Sequence, residues 1–195
     1  METHQQTKPV RRQMLDAKQR RLLYFLQALV AAAVIAFFLA WFIARDNGTK
    51  ASVPPAGSPA SVSEAQLKAL AATTNHPVYW AGAKSGAYEL TRTSDGRIYI
   101  RYLPSAVKVG DPAAKYLTVG TYPIKHAFTA IRRAAARKGA ISVKIDNGGL
   151  LVFNQSAPKS VYFGYPGANY QVEVYDPSPQ QARALALGGK ITAIK

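Results

Sequence analysis

The chain contains no cysteine among its 195 residues. This absence excludes a disulfide-stapled fold, a structural zinc site built on thiolates and a lipid-modified cysteine anchor. Carboxylates are also scarce, with 10 Asp and Glu against 25 Lys and Arg, so the formal net charge is +15. Hydrophobic residues make up 48% of the chain, which is too many for a disordered protein and enough for a folded core.

Histidine is rare as well, with His4, His76 and His126 as the three examples. No two of them have the spacing of metal ligands, so the sequence predicts neither a metal site nor a cofactor. His76 precedes a proline and His126 opens a basic helical segment, and both are interpreted as structural residues.

Four aspartates lie in turns or before prolines, where backbone chemistry explains them. Only Glu89 and Glu173 stand inside predicted strands, where a carboxylate pair could provide the acid and base of a glycosidase. Each glutamate alternates with apolar neighbours, which favours a solvent-facing side chain. The residues therefore favour a non-catalytic domain. The alternative is an envelope hydrolase that uses Glu89 or Glu173 with a histidine.

One apolar run extends from Leu22 to Ala44, with Gln27 as its only strongly polar side chain. At ~1.5 Å per residue its 23 positions span about 34 Å, slightly more than the ~30 Å hydrocarbon core of a bilayer. A cleavable signal peptide would have a shorter apolar region followed by a small-residue cleavage site. The run thus predicts one transmembrane helix over residues 22–44.

Basic residues on either side of this span set its orientation, because positively charged flanks stay in the cytoplasm. Six Lys and Arg precede the span and two follow it within residues 45–50. Residues 1–21 are therefore predicted to form a basic cytoplasmic tail that contacts anionic lipid headgroups. The C-terminal domain is then extracytoplasmic, which makes the chain a type II, single-pass protein of the cell membrane.

Small residues recur every four positions inside the span, at Ala28, Ala32, Ala36 and Ala40, with Gln27 beside them. Such a stripe lets two helices approach closely, and Gln27 could donate an interhelical hydrogen bond. Homodimerisation through the span is one hypothesis. The other is that the stripe simply faces lipid.

After the span the composition becomes rich in Pro, Ser and Gly over residues 45–62, which predicts a flexible linker. At ~3.1 Å per residue its reach is about 50 Å. From residue 63 to 195, short alternating runs separated by turn residues predict a globular domain.

The elements expected in this domain indicate an α+β fold in which an antiparallel sheet of hairpins packs with two or three helices. Hairpins are predicted at residues 88–93 with 98–103, 141–145 with 150–154, and 161–165 with 170–175. Further strands are predicted at 78–80, 116–122 and 190–194, and helices at 64–72, 125–138 and after Ser178. Either Ser63 or a capping box of Ser61 and Glu64 is expected to begin the first helix.

The predicted domain has a basic surface that is rich in tyrosine. It contains 17 Lys and Arg against 7 Asp and Glu, and ten of the 11 tyrosines. Alternation places one set of strand residues outward, namely Tyr99, Arg101, Lys144 and Tyr175. It places a second set in the core, namely Ile98, Ile100, Ile141, Val143, Val172 and Val174.

Cations interleaved with aromatic rings favour binding or scaffolding of an anionic envelope polymer or another envelope protein. The alternative is an ordinary solvated face on a basic protein. Nucleic acid is the usual partner of such a surface, but the predicted location argues against it. A cytoplasmic nucleic-acid binder would require the opposite topology.

Five segments, HPVYWAG, YELTRTSDGRIYIRYLP, LTVGTYP, SVYFGYPG and YQVEVYDPSP, carry a resemblance. Over roughly residues 76 to 194 the chain resembles a group of uncharacterised single-pass membrane proteins of high-GC bacteria. The resemblance implies a bacterial envelope setting and supplies no activity or site.

Overall fold

The computed structural model describes residues 52–195. In chain order its elements are β1 (Ala60–Val62), α1 (Glu64–Thr73), β2 (Tyr79–Trp80), β3 (Ala87–Arg92), β4 (Ile98–Leu103), β5 (Thr118–Pro123), α2 (Ala127–Ala135), β6 (Ala140–Lys144), a 3-10 turn (Asp146–Gly148), β7 (Leu150–Asn154), β8 (Ala157–Gly164), β9 (Tyr170–Tyr175), α3 (Pro179–Leu187) and β10 (Thr192–Ala193). The span expected from Leu22 to Ala44, with Gln27 and its alanine stripe, lies outside the described residues. Within residues 52–195, every helix is too short or too polar to cross a bilayer.

Eight strands form one antiparallel sheet in the order β1-β3-β4-β5-β9-β8-β7-β6, while β2 and β10 pair separately. All three predicted hairpins are confirmed, as β3-β4, β6-β7 and β8-β9. The expectation of a large antiparallel sheet packed with helices is therefore confirmed for this part of the chain.

One side of the sheet, called the core face, carries the main hydrophobic core. Leu67 and Leu70 of α1, and Ala182 and Leu185 of α3, are buried in the same cluster as its strand residues. The small β2-β10 pair also lies on this face, where the Tyr79 amide donates to the Thr121 hydroxyl at 3.0 Å. The strand members of the cluster include Leu90, Ile98, Ile100, Val119, Leu151, Val161, Val172 and Val174.

The opposite side, called the outer face, is covered in two places. Helix α2 packs over β6 to β9. Its buried Ile131 approaches so closely that a Cβ at Gly164 would lie 3.4 Å from the Ile131 Cγ1 atom. At the other end, residues 104–117 connect β4 to β5 and cross over β3 and β4. The centre of the outer face lies between these two covers.

The helix starts follow local chemistry, with two differences from the sequence prediction. The capping box of α1 is Ser63 with Gln66, because the Ser63 hydroxyl accepts from the Gln66 amide and the Gln66 side chain accepts from the Ser63 amide. The predicted box of Ser61 and Glu64 is therefore wrong. Helix α2 begins at Ala127, two residues later than predicted, because His126 has a left-handed backbone with φ of 57°.

The expected linker over residues 45–62 is corrected in its second half. Residues Ala60–Val62 form strand β1 and pair with β3. Upstream, the Gly57 amide donates to the Arg92 carbonyl at 2.8 Å, and the Arg92 guanidinium donates to the Pro54 carbonyl at 3.2 Å. The Gln66 side chain also holds the Ser52 carbonyl, at 2.8 Å. The folded part therefore begins by residue 52, instead of at residue 63.

Two residues expected in the core are exposed. Ile141 and Val143 lie on the same side of the sheet as the core residues opposite them on β7, yet each is 37% exposed. Their strand, β6, is one of the two edge strands of the sheet. Helix α3 packs on β8 and β9 and does not extend over β6. Alternation predicted their side of the sheet correctly but not their burial.

Candidate binding face

The strand register places all four predicted binding residues on the outer face. Tyr99 and Arg101 of β4 stand opposite Gly120 and Thr118 of β5, and Thr118 stands opposite Tyr175 of β9. Lys144 shares this side but lies on β6, five strand spacings from Arg101, or about 24 Å at ~4.8 Å per spacing. The predicted set thus divides between two separate places.

Arg101 is held in an ion pair and is not a free surface cation. Its Nη1 atom lies 2.6 Å from the Glu89 Oε1 atom, and the Glu89 side chain is 1% exposed. The amide of Gly110 donates to the other Glu89 oxygen at 2.6 Å. The Arg101 Nη2 atom donates to the carbonyls of Asp111 and Ala113 at 2.9 and 3.1 Å. The solvent-facing interpretation of Glu89 is therefore wrong.

The connection 104–117 is organised around this ion pair. The Asp111 carboxylate accepts from the Tyr116 hydroxyl at 2.7 Å and from the Ala113 amide at 2.8 Å. These bonds, that of Tyr116 first, lower the pKa of Asp111 below its ordinary value. The Arg101 guanidinium lies 5.1 Å from the centre of the Tyr116 ring, and Tyr175 donates to the Ala114 carbonyl at 2.7 Å.

A second polar network occupies the centre of the outer face. Glu173 of β9 accepts one hydrogen bond from the Tyr122 hydroxyl and another, at 2.8 Å, from the Tyr162 hydroxyl. Burial, reinforced by the charge of Glu173, raises the pKa of Tyr162 to about 12 and that of Tyr122 still further. Both tyrosines therefore remain protonated donors at physiological pH.

Glycine at position 120 permits this network. A Cβ there would lie 2.6 Å from the Tyr122 hydroxyl oxygen and 2.8 Å from its Cζ atom. The Tyr122 side chain therefore runs along its own strand over Gly120 to reach Glu173. Tyr99 then packs edge-on against the Tyr122 ring, with ring centres 5.5 Å apart.

Between the connection and the central network lies a cavity of about 290 Å³, called here the tyrosine groove. The aromatic and charged residues that line it are Tyr99, Arg101, Tyr116, Glu173 and Tyr175. Tyr99, Arg101 and Tyr175 were predicted from strand alternation. Tyr116 was not predicted as a site residue; it was expected inside a strand over residues 116–122 but lies in the connection before β5.

A basic surface lies at the other end of the outer face. It consists of six exposed cations, namely Lys125, Arg132, Arg133, Arg137, Lys138 and Lys144. The segment between the first and last of them contains no Asp or Glu. The three ion pairs found within residues 52–195 involve none of the six.

Two of these cations converge on a second cavity. Arg132 of α2 and Lys144 of β6 both line a space of about 450 Å³, together with apolar Phe128, Ile145 and Leu150. Lys144 was predicted as a binding residue, and Arg132 was not. Their proximity depends on α2 crossing the outer face, which periodicity within α2 does not reveal.

The two glutamates do not form a catalytic pair. Glu89 and Glu173 lie three strand spacings apart, about 14 Å, whereas glycosidase carboxylates lie roughly 5 to 10 Å apart. Of the two histidines within residues 52–195, neither lines the tyrosine groove beside Glu173. The same residues contain no group of His, Asp and Glu arranged to hold a metal ion.

Comparison of the chain with protein-family models, with curated proteins and with solved structures finds no match.

Proposed function

We propose that the chain is a single-pass protein of a bacterial cell envelope whose extracytoplasmic domain binds an anionic envelope polymer without catalysis. The apolar run from Leu22 to Ala44 is its anchor, with the N-terminus in the cytoplasm. The observation that supports the binding part of this proposal is the basic surface, whose six exposed cations take part in none of the ion pairs found within residues 52–195.

Clustered like charges repel one another, and this repulsion is relieved when a polyanion replaces the counterions around them. Because the six cations come from α2, from the residues just before and after it and from β6, the fold fixes where their backbones lie relative to one another. A polymer with regularly spaced anionic groups would engage several of them at once. Binding should therefore weaken steeply as salt is added.

The cavity between α2 and β6 adds a contact that charge alone does not give. An anionic group placed between Arg132 and Lys144 brings the uncharged part of its repeating unit against Phe128 and Leu150. A polymer that alternates anionic and less polar groups fits this surface better than a uniform string of charges.

Anionic lipid headgroups are the second candidate partner, because few residues separate the predicted span from the folded part. Since Ser52 already hydrogen-bonds to the domain, only residues 45–51 lie between it and the span. Seven residues reach at most about 25 Å when fully extended, half the reach expected of the whole linker. The basic surface lies around β6, at the opposite edge of the sheet from β1 and seven strand spacings or about 34 Å away, so anionic lipid reaches its cations only when the sheet lies along the bilayer.

The test measures retention of the full chain, in detergent, on dextran sulfate and on uncharged dextran, which share one backbone. The variant Arg133→Gln with Arg137→Gln removes two charges from the basic surface. The matched control, Lys84→Gln with Lys108→Gln, removes two exposed charges elsewhere in the domain. We expect at least a tenfold loss of dextran sulfate affinity for the first variant and less than threefold for the control.

Equal losses in the two variants would contradict the proposal, because only net charge would then matter. Vesicles of anionic and of zwitterionic lipid form a second arm of the experiment. Tighter binding of the domain to anionic vesicles than to dextran sulfate would assign the surface to the membrane instead.

A further inference from the structure

We propose that the tyrosine groove is a binding site for an uncharged saccharide unit. The inference goes beyond the proposed polyanion binding, since it uses neither the basic surface nor the anchor. It rests on three properties of the groove: its charge balance, its free acceptors and the fixed orientation of its rings.

Charge balance argues against an anionic ligand. The groove contains one cation, Arg101, whose charge is already matched by the buried Glu89 at 2.6 Å. It also contains one carboxylate, Glu173, which would repel an anion. A neutral ligand that is rich in hydroxyl groups avoids this repulsion.

Glu173 supplies acceptors for such hydroxyls. A carboxylate offers about four lone-pair positions, and the hydroxyls of Tyr122 and Tyr162 occupy two of those on Glu173. Because the two tyrosines hold its two oxygens in place, the carboxylate presents its remaining positions to the cavity in one orientation. Two neighbouring hydroxyls on a sugar ring match this arrangement.

Three tyrosine rings supply the apolar contact surface. The orientation of Tyr116 is fixed by Asp111, that of Tyr175 by the Ala114 carbonyl and that of Tyr99 by the Tyr122 ring. Rings fixed before binding lose little conformational freedom when a ligand packs on them. The carbon-bound hydrogens of a sugar ring can pack on a tyrosine face while its hydroxyls bond to Glu173.

The test applies the full chain, in detergent, to an array of neutral and anionic oligosaccharides built from hexoses and pentoses. We expect at least one neutral oligosaccharide to bind, with an affinity that changes less than twofold between 50 mM and 500 mM salt. Glu173→Ala should lower this affinity at least tenfold. Glu173→Gln keeps one acceptor oxygen and should lower it less.

A second variant leaves the tyrosine network intact. Ala113 lines the groove and contributes only backbone hydrogen bonds, so Ala113→Trp should fill the groove and abolish saccharide binding without unfolding the domain. Arg133→Gln with Arg137→Gln should leave saccharide binding unchanged, which separates this inference from the polyanion proposal. Absence of any neutral ligand, or binding that survives both Glu173→Ala and Ala113→Trp, overturns the inference.

Discussion

The two covers of the outer face differ in how they are held. At β3 and β4, residues 104–117 are held by a buried ion pair and by hydrogen bonds to it. At β6 to β9, α2 is held by apolar contact, with Ile131 packed close to Gly164. In the first cover, the ion pair with Glu89 neutralises the charge of Arg101. The second leaves both cations of α2, Arg132 and Arg133, exposed to solvent.

Charge counts along the chain follow the same division. Residues 52–123 contain 7 Lys and Arg against 4 Asp and Glu, whereas residues 124–195 contain 10 against 3. The three ion pairs found within the described residues all lie before residue 124. The ion pairs of the described residues therefore lie in the first part, whereas the cations proposed to bind a polyanion lie in the second.

The largest expected effect comes from breaking the polar cover. Glu89→Ala leaves the Arg101 guanidinium without its charge partner at a position that solvent hardly reaches. Removal of one member of a buried ion pair costs about 3 to 5 kcal/mol. We expect a drop of this size in the free energy of unfolding, measured by urea denaturation.

Replacing both partners is the control. Glu89→Leu with Arg101→Met should recover most of the lost stability, because a well-packed apolar pair is often neutral relative to a buried ion pair. If the double variant is as unstable as Glu89→Ala, the connection is held by contacts other than the pair.

The next largest effect should come from the apolar cover. Ile131→Ala removes a side chain that is 2% exposed, and such truncations cost about 2 to 5 kcal/mol. We expect a smaller loss of stability than for Glu89→Ala, with faster hydrogen exchange confined to α2. Thr129→Ala, on the exposed side of the same helix, should change stability by no more than about 0.5 kcal/mol. An equal loss in both variants would contradict the packing described for α2.

The sequence predicted these elements unevenly, for physical reasons. Turn chemistry identified the hairpins, since Asp95-Gly96 and Asn147-Gly148 favour a chain reversal between alternating runs. Alternation likewise identified the outer face and three residues of the tyrosine groove. It did not reveal whether a face is covered, which is why Glu89 was expected in solvent and Ile141 in the core.

Long-range partners were also beyond the local pattern. Proline and serine predicted a flexible linker over residues 45–62, but their carbonyls accept hydrogen bonds from Arg92 and Gln66, which lie far along the chain. Arg132 joins Lys144 only because α2 crosses the sheet. The spacing of apolar residues within α2 does not show that the helix crosses the sheet.

The smallest expected effect concerns the stability of the domain at low pH. The pKa of Asp111 is lowered in the folded state, so its contribution to stability is present above the ordinary aspartate pKa and is lost as the pH falls through the lowered value. Tyr116→Phe removes the main cause and should move the Asp111 pKa back upward, as followed by NMR titration of its carboxyl carbon. An unchanged pKa would show that the Ala113 amide alone sets it.

The position of β1 has a mechanical consequence. Any pull on the chain from the side of residue 52 acts first on the hydrogen bonds of Ser52, Pro54 and Gly57 and then on β1, a three-residue edge strand whose middle residue stands opposite Glu89. Force applied there is therefore passed to β3, which carries the buried carboxylate of Glu89. The Glu89–Arg101 ion pair, which joins β3 to β4, therefore lies next to the strand on which such a force acts.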